Sequence, residues 1–536
     1  MSRTTEILSP PPNQPTPLDH PPLRPPSQGA GPAQPSPRSP GQPAQPAPTP
    51  TQAKLADGRD IFYFDDSPPS SPPEARRLGD PRPLRDRTKP FTDPGTGQEV
   101  TPTGPEMRYD VLTGEWIPMA SNRMDRTFLP AADSCPLCPA DPASAYSDGE
   151  IPSTDYDVVV FENRFPSYWR APGQDVHAAW TLDGEALWPV RQAAGRCEVI
   201  CFSPDHTGEV AGLSEPRMRT IIEAWAHRTA ALQAMDGIAQ VYPFENRGPE
   251  IGVTLPHPHG QIYAYPNLTP RTAAMVRQAE AHQAKTGRKL LSDVVEAETR
   301  GPRLIAQTER WVAYVPAAAR WPVELHLAPV RDVPDLPALD EAERAELARL
   351  YPRLLRACDR FFAAAVDAPA AAPKDGQLTP VDDAAHPPLP YISGWHQAPV
   401  DPDLRRFGRL HLQLFSIRRA PGKLKYLAGS ESGMGAWISD TTPERIADRL
   451  RAALTEADAI AAWGSASRDG EAPAGGGARS AAAGVGSADG IVPGLGGAAV
   501  EGGGKGATDA ATPADGIVPG PHLPDARAGR PESGAL

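Results

Sequence analysis

The placement of proline decides how much of this chain can fold. Of 536 residues 68 are proline, where about 5% is usual, and 17 of them fall in the first 50 residues, which contain no aromatic residue. Such a segment cannot bury enough apolar surface to offset the entropy lost on ordering, so residues 1–52 are expected to form a disordered arm. No aromatic residue follows Trp463, and Gly, Ala and Ser dominate a tail in which Ala-Asp-Gly-Ile-Val-Pro-Gly occurs at 488 and again at 514. The duplication reads as linker, and residues 465–536 are expected to be a second disordered arm. About 360 to 410 residues remain for folded structure, enough for two domains.

The net charge of -13 and a pI near 5.5 argue against nucleic acid as a partner. No signal-peptide pattern opens the chain, and no apolar run approaches the roughly 18 to 20 residues that span a bilayer. No membrane association is expected, and the expected compartment is the cytoplasm. Five cysteines, Cys135, Cys138, Cys197, Cys201 and Cys358, form an odd set in a long chain, which fits a reducing environment better than a disulfide framework.

Within the folding part, a strand-like stretch over 60–64 sits among prolines and charges, so 53–106 reads as a partly ordered extension. From Met107 onward strands are expected over 108–116, 156–161 and 197–202. A helix follows: Ser214 can cap it, Pro216 suits its first turn, and Met218, Ile221, Ile222, Trp225 and Leu232 fall on one face. A strand over 238–244 leads into a glycine-containing loop. A second helix begins after Asp340, which with Glu343 has capping-box spacing, and presents Leu347, Leu350, Leu354, Phe361 and Phe362. Both helices follow strands that end at a proline, Pro204 and Pro329, and 410–415 echoes 258–263. These echoes read as an internal duplication, 107–270 followed by 271–464, with 366–389 as a loop inserted into the second copy.

The chemistry concentrates in Pro256-His-Pro-His-Gly-Gln261. Side chains alternate along an extended chain, so His257, His259 and Gln261 should share one face of a strand. Cys135-Pro-Leu-Cys138 has the spacing that wraps a tetrahedral zinc, and His206 and His257 could complete the ligand set; a buried turn and a redox pair are the competing readings. A closed Cys2His2 site is structural. It would leave His259 beside a rigid anchor, and a neutral imidazole is a competent nucleophile toward phosphorus near neutral pH. Gly248, Gly252 and Gly260 allow close backbone approach, while Asn246, Thr254 and Gln261 offer neutral donors. Arg123 and Arg126 are spaced like a phosphate clamp.

These residues occur in the order seen in galactose-1-phosphate uridylyltransferases. Arg123 with Arg126, Cys135-x-x-Cys138, Phe161-x-Asn163, Ser203-Pro-Asp-His206, Phe244-Glu-Asn246, Pro256-His-Pro-His-Gly-Gln261 and Gly394-Trp-His396 carry a resemblance that runs from about 107 to 455. The segment 423–431 and the strand near 60 resemble the actinobacterial branch. The resemblance implies an α+β fold: a duplicated histidine-triad-like domain of mainly antiparallel sheets with packed helices. It implies that UDP-glucose uridylylates His259 and releases glucose 1-phosphate, after which galactose 1-phosphate takes the uridylyl group and leaves as UDP-galactose, in galactose catabolism. Gln261 would hold phosphoryl oxygens where related hydrolases carry a proton-donating histidine. Asn246 and Thr254 would hold phosphate oxygens, Asn163 would lie near the uridine, and Lys425 and Glu431 would contact the hexose across a homodimer interface.

The chain also departs from the better-known bacterial pattern. A second metal site there uses one Glu and three His; His396 and His411 are present here, but Met275 and Gln413 hold the other two positions. This site is expected to be empty unless Glu280 or another group substitutes. Arg164 replaces an acidic residue beside the nucleotide, Ser430 replaces an aromatic hexose contact, and the glutamine expected near Trp437 is not evident. Three rival readings follow: a related enzyme acting on ADP-glucose, a nucleophilic His411 in His411-x-Gln413, and a non-catalytic zinc-stabilised binding module. The 411–413 copy lacks a CxxC and a glycine-rich loop, which disfavours it.

Overall fold

The computed structural model describes residues 50–66, 79–92, 96–120, 130, 132–141, 149–363 and 387–468. The arms at 1–49 and 469–536, the body of the inserted loop at 364–386, and Arg123 with Arg126 lie outside the described residues.

One antiparallel sheet of eleven strands organises the fold. In chain order its strands are β1 (Thr51–Lys54), β2 (Asp60–Phe64), β3 (Val158–Glu162), β4 (Arg196–Cys201), β5 (Gln240–Arg247), β6 (His259–Tyr265), β7 (Leu304–Gln307), β8 (Trp311–Tyr314), β9 (Val323–Pro329), β10 (Tyr391–His396) and β11 (His411–Ser416). Their spatial order is β1-β2-β3-β4-β6-β5-β10-β11-β9-β8-β7. Counted inward from each edge, β2 to β6 and β7 to β11 follow the same path, with the last two strands exchanged. The duplication read from two short echoes is therefore a duplication of topology. The halves meet where β5 pairs with β10, Phe244 opposite Gly394 and Arg247 opposite Tyr391.

Each half crosses from its third strand to its fourth through a long helix. The first, α1 (Glu215–Gln233), is capped as expected: Ser214 Oγ accepts from the Arg217 amide. Helices α2 (Pro270–Thr286) and α3 (Leu290–Thr299) follow β6. The second crossover, α4 (Glu341–Asp359), opens on a complete capping box between Asp340 and Glu343, which satisfies two otherwise orphaned amides. The last helix is α5 (Pro443–Arg468). The expected apolar face of α1 is fully buried, and Leu347, Leu350, Leu354 and Phe361 are buried in the same core. Phe361 and Phe362 lie past the end of α4. Trp225 on α1 meets Tyr351 on α4 and Trp395 on β10, with ring centroids 6.3 and 6.1 Å apart. One continuous apolar core thus underlies both halves.

Two expectations change. The strand expected over 108–116 is a hairpin, Glu106–Asp110 paired with Glu115–Met119, because Asp110 Oδ1 accepts from the Leu112 amide at 2.9 Å and folds the chain back. This hairpin joins Pro189–Gln192 and Ala179–Thr181 in a second, four-stranded sheet. The strand over 60–64 is integral rather than peripheral, since β2 pairs along β3 with Ile61 and Phe64 fully buried. Arg59 fixes that placement. Its buried guanidinium donates to Asp57 at 2.7 Å, Glu150 at 2.5 Å and the Glu162 carbonyl at 2.9 Å. No helix among the described residues is long and apolar enough to cross a membrane.

Candidate active site and metal centre

Two prolines shape the central motif. Pro256 and Pro258 have no N–H to give to a ladder, so β6 begins at His259, and His257 lies ahead of it in a buried turn. The expected three-residue face is thereby divided. His259 and Gln261 share the strand, while the His257 ring turns toward Cys138. The sulfur of Cys138 is 3.4 Å from His206 Nδ1 and 3.5 Å from His257 Nδ1, and the ligand atoms of Cys135, Cys138, His206 and His257 all lie within 4.8 Å of one another. Tetrahedral zinc, with bonds of about 2.3 Å to sulfur and about 2.0 Å to nitrogen, places S and N about 3.5 Å apart. Both S···N distances of Cys138 match a metal of that kind.

The surroundings complete the fit. His257 Nε2–H donates to the Ser203 carbonyl at 2.8 Å, which leaves Nδ1 as the ligand nitrogen. Tyr156, read from the sequence only as the start of a strand, has its hydroxyl 2.9 Å from the carbonyls of Leu137 and Ser203 and from His257 Nε2. It ties the CxxC turn to the Ser203–His206 turn. Burial lowers the His257 pKa to about 4, so the imidazole is neutral and can ligate. Burial, then the Cys135 charge, pushes the Cys138 thiol up to about 12; a divalent cation here would displace the thiol protons.

His259 is aimed by the same turn. Its Nδ1–H donates to the His257 carbonyl at 2.8 Å, which fixes the tautomer with the lone pair on Nε2. The ring borders a cavity of about 420 Å³ shared with His206, Asn246, Arg247, Gly248 and Pro258. Gly248 and Gly252 bend the loop at φ of 101° and 81°, conformations that side chains disfavour. Gln261 Oε1 is buried without a hydrogen-bond partner, a cost of about 1–3 kcal/mol that a bound ligand can relieve. Gly260 allows the close packing between them: a Cβ there would lie 2.8 Å from both the Phe202 ring and the Phe244 carbonyl. Gly260→Ala is expected to cost about 1–3 kcal/mol in urea-unfolding experiments.

Glu245, next to Asn246, is the second group missed by sequence reasoning. It is buried, accepts from Tyr391 Oη at 3.0 Å, and burial pushes its pKa up to about 7. Below the carboxylate range both folded and unfolded chains hold this proton, and stability is full. As pH rises toward about 7 the unfolded chain ionises first, so stability falls by about 3 kcal/mol and then levels off. Glu245→Gln is expected to flatten that fall when unfolding free energies are compared at about pH 5 and about pH 8.

The other expected residues divide. Asn246 lines the cavity. Thr254 is half-buried in the same loop without lining it. Asn163 is buried, but its Oδ1 accepts from the Phe165 amide at 2.8 Å and so holds its own turn. Lys425 and Glu431 lie 3.9 Å apart, with Asp440 2.9 Å from the lysine; neither lines the cavity. Arg164 lies 3.8 Å from Glu150, and Ser430 Oγ donates to the Ala436 carbonyl at 2.9 Å.

The positions of the second metal set do gather in the second half. The His396 and His411 rings stack 4.9 Å apart, and Met275 lines their cavity. Gln413 is held between Glu324 at 2.7 Å and Arg271 at 2.6 Å. Glu280 is exposed on α2 and does not line it. His326, Glu324 and Arg271 were missed. Two polar residues inside the apolar strand Val323–Pro329 were the available signal for the first two.

A histidine whose Nδ1 is tied to the backbone and whose turn carries a Cys2His2 group, on an α+β fold with a duplicated strand path, fits a nucleotidyltransferase. Family models described as galactose-1-phosphate uridyl transferase, N-terminal domain and C-terminal domain, match residues 97–269 and 275–462. The galactose-1-phosphate uridylyltransferase of Streptomyces lividans is 40% identical over 414 residues, 75% of this chain and 97% of that protein. That of Thermotoga maritima is 31% identical over 349 residues, 65% of this chain and 98% of that protein. A solved uridylyltransferase structure superposes with a TM-score of 0.54 at 32% identity, covering 66% of this chain and 99% of the other. The chain belongs to the galactose-1-phosphate uridylyltransferase family.

Proposed function

We propose that this chain transfers a uridylyl group from UDP-glucose to galactose 1-phosphate through His259, in galactose catabolism. The observation that carries the reading is the 2.8 Å bond from His259 Nδ1 to the His257 carbonyl, in a turn whose own ring belongs to the Cys2His2 group. With Nδ1 engaged, Nε2 attacks the α-phosphorus of UDP-glucose. A P–N bond forms, the P–O bond to the leaving group breaks, and glucose 1-phosphate departs with that electron pair. A phosphate oxygen of galactose 1-phosphate then attacks the same phosphorus, the P–N bond breaks, and UDP-galactose leaves. Gln261 steadies the phosphoryl oxygens; an amide supplies no proton near neutral pH, which favours waiting for the sugar phosphate over hydrolysis.

Asn246, Thr254, Arg123 and Arg126 hold phosphate oxygens in this reading, and Asn163 lies near the uridine. Lys425 and Glu431 serve the hexose across the interface of a homodimer, which suits their position away from the cavity. Zinc in the Cys135, Cys138, His206 and His257 set is structural: it fixes the turn that aims His259. The second metal position stays without an ion, since Met275 and Gln413 replace two ligands and the Arg271 guanidinium already bonds the Gln413 amide. The two repeats at 107–270 and 271–464 work as one cytoplasmic enzyme without nucleic-acid partners.

The test is incubation with UDP-glucose radiolabelled in the α-phosphate. Acid-labile label on the peptide that contains His259 is expected, discharged by galactose 1-phosphate. Absence of protein-bound label would remove the enzyme reading, and preferential labelling from ADP-glucose would move it to the other nucleotide.

A further inference from the structure

The second repeat builds a position equivalent to the catalytic one. His411 opens β11 as His259 opens β6, and its Nδ1 donates to the carbonyl two residues back, that of Arg409, at 3.0 Å. Beyond this point the copies diverge. The His411 ring is stacked on His396 and Gln413 is clamped between Glu324 and Arg271, so neither can act as its counterpart does in phosphoryl transfer. What persists is a cavity of about 760 Å³ between the sheet and helices α2 and α3, within the size range of small-molecule sites.

Two of the cations in this cavity lack a partner of opposite sign at ion-pair distance. Arg271 and Arg320 both line it, and neither forms an ion pair among the described residues: Arg271 bonds the neutral Gln413 amide, and Arg320 lies over the Trp437 ring at 5.5 Å. Burial, then the charge of Arg320, lowers the pKa of Arg271, so the two guanidiniums repel across the space. Arg271 also sits in the first turn of α2, where the helix dipole disfavours a cation and favours an anion. The carboxylates in the lining are already committed. Glu324 accepts from the Arg320 amide at 2.6 Å and from Gln413 at 2.7 Å, and Glu298 pairs with Arg303 at 3.0 Å. His326 Nε2, also in the lining, lies 3.7 Å from Glu324 Oε1.

We propose that this cavity is a second binding site, specific for an organic phosphate monoester, with Arg271 and Arg320 holding the phosphate. The apolar part of the lining explains the organic part: Leu290, Leu291 and Val294 on α3, with Tyr314 on β8, offer apolar surface that inorganic phosphate cannot use. The site binds and does not transfer, and it goes beyond the reaction assigned to His259.

Calorimetric titration of the full chain with phenyl phosphate and with inorganic phosphate tests it. Phenyl phosphate is expected to bind one site at least tenfold more tightly than inorganic phosphate. Arg320→Ala and Arg271→Met are each expected to weaken it at least tenfold, while labelling of His259 by UDP-glucose is unchanged. Arg320→Ala alone suffices if the Arg271 variant misfolds by circular dichroism. The proposal falls if the wild type binds neither probe, if the two bind equally, or if binding survives the substitutions. It falls also if labelling is lost together with binding, because the anion would then occupy the first repeat.

Discussion

Replacing His259 by glycine is expected to abolish incorporation of label from UDP-glucose and to lower turnover on the order of 10⁴-fold or more, the scale on which enzymes lose a covalent nucleophile. The variant should otherwise be intact. His259 is only partly buried, and the Cys2His2 group does not include it, so zinc content and the unfolding midpoint should stay close to wild type. The comparison separates chemistry from architecture. A variant that keeps its metal and fold but takes no label places the phosphorus bond on this imidazole. One that still becomes labelled would move the nucleophile away from His259.

Removing a metal ligand should act in the opposite order, on the scaffold first. Cys138→Ser is expected to reduce bound zinc from one equivalent to nearly none, and to cost about 5 kcal/mol of stability, a part of the roughly 10–16 kcal/mol with which small zinc-finger peptides bind the metal. Total unfolding is not expected, because Leu55, Ile61, Tyr63 and Phe161 form their own apolar cluster beside the site. Activity should fall as well. Without the metal the His257 turn loses the restraint that positions its carbonyl, and a misplacement of about 1 Å at a reacting group costs on the order of 10²-fold. Metal analysis, urea unfolding and turnover on one preparation give the three readings; full zinc occupancy in the variant would overturn the assignment of Cys138.

What could be read in advance followed the range of the interactions involved. The helix after Ser214 and the box at Asp340 and Glu343 are local devices, decided within four residues, and both appear where expected. The Cys2His2 group was legible because each ligand type carries its own chemistry, although Cys138 and His257 are 119 residues apart. Tyr156 was not legible. Its role depends on two carbonyls that a fold brings together, and a tyrosine before an apolar strand looks the same with or without them. The 106–119 hairpin was lost to a shorter-range competitor, the Asp110 side chain, which bends a run whose composition suits one strand. Asn163 shows the converse. Its motif resembles one that lies near the uridine, and what the structure adds is a local bond, from the Phe165 amide to its Oδ1.

The pairing of β5 with β10 bears on where the enzyme gets its robustness. Asn246 sits at this seam opposite Ile392, and Trp225, from the first repeat, is packed against Tyr351 and Trp395 of the other. Opening either repeat therefore bares a sheet edge and half of a shared aromatic core, so the two melt as one cooperative unit. Neither repeat consequently has a melting temperature of its own: what loosens residues 271–464 also unfolds the strand that carries His259.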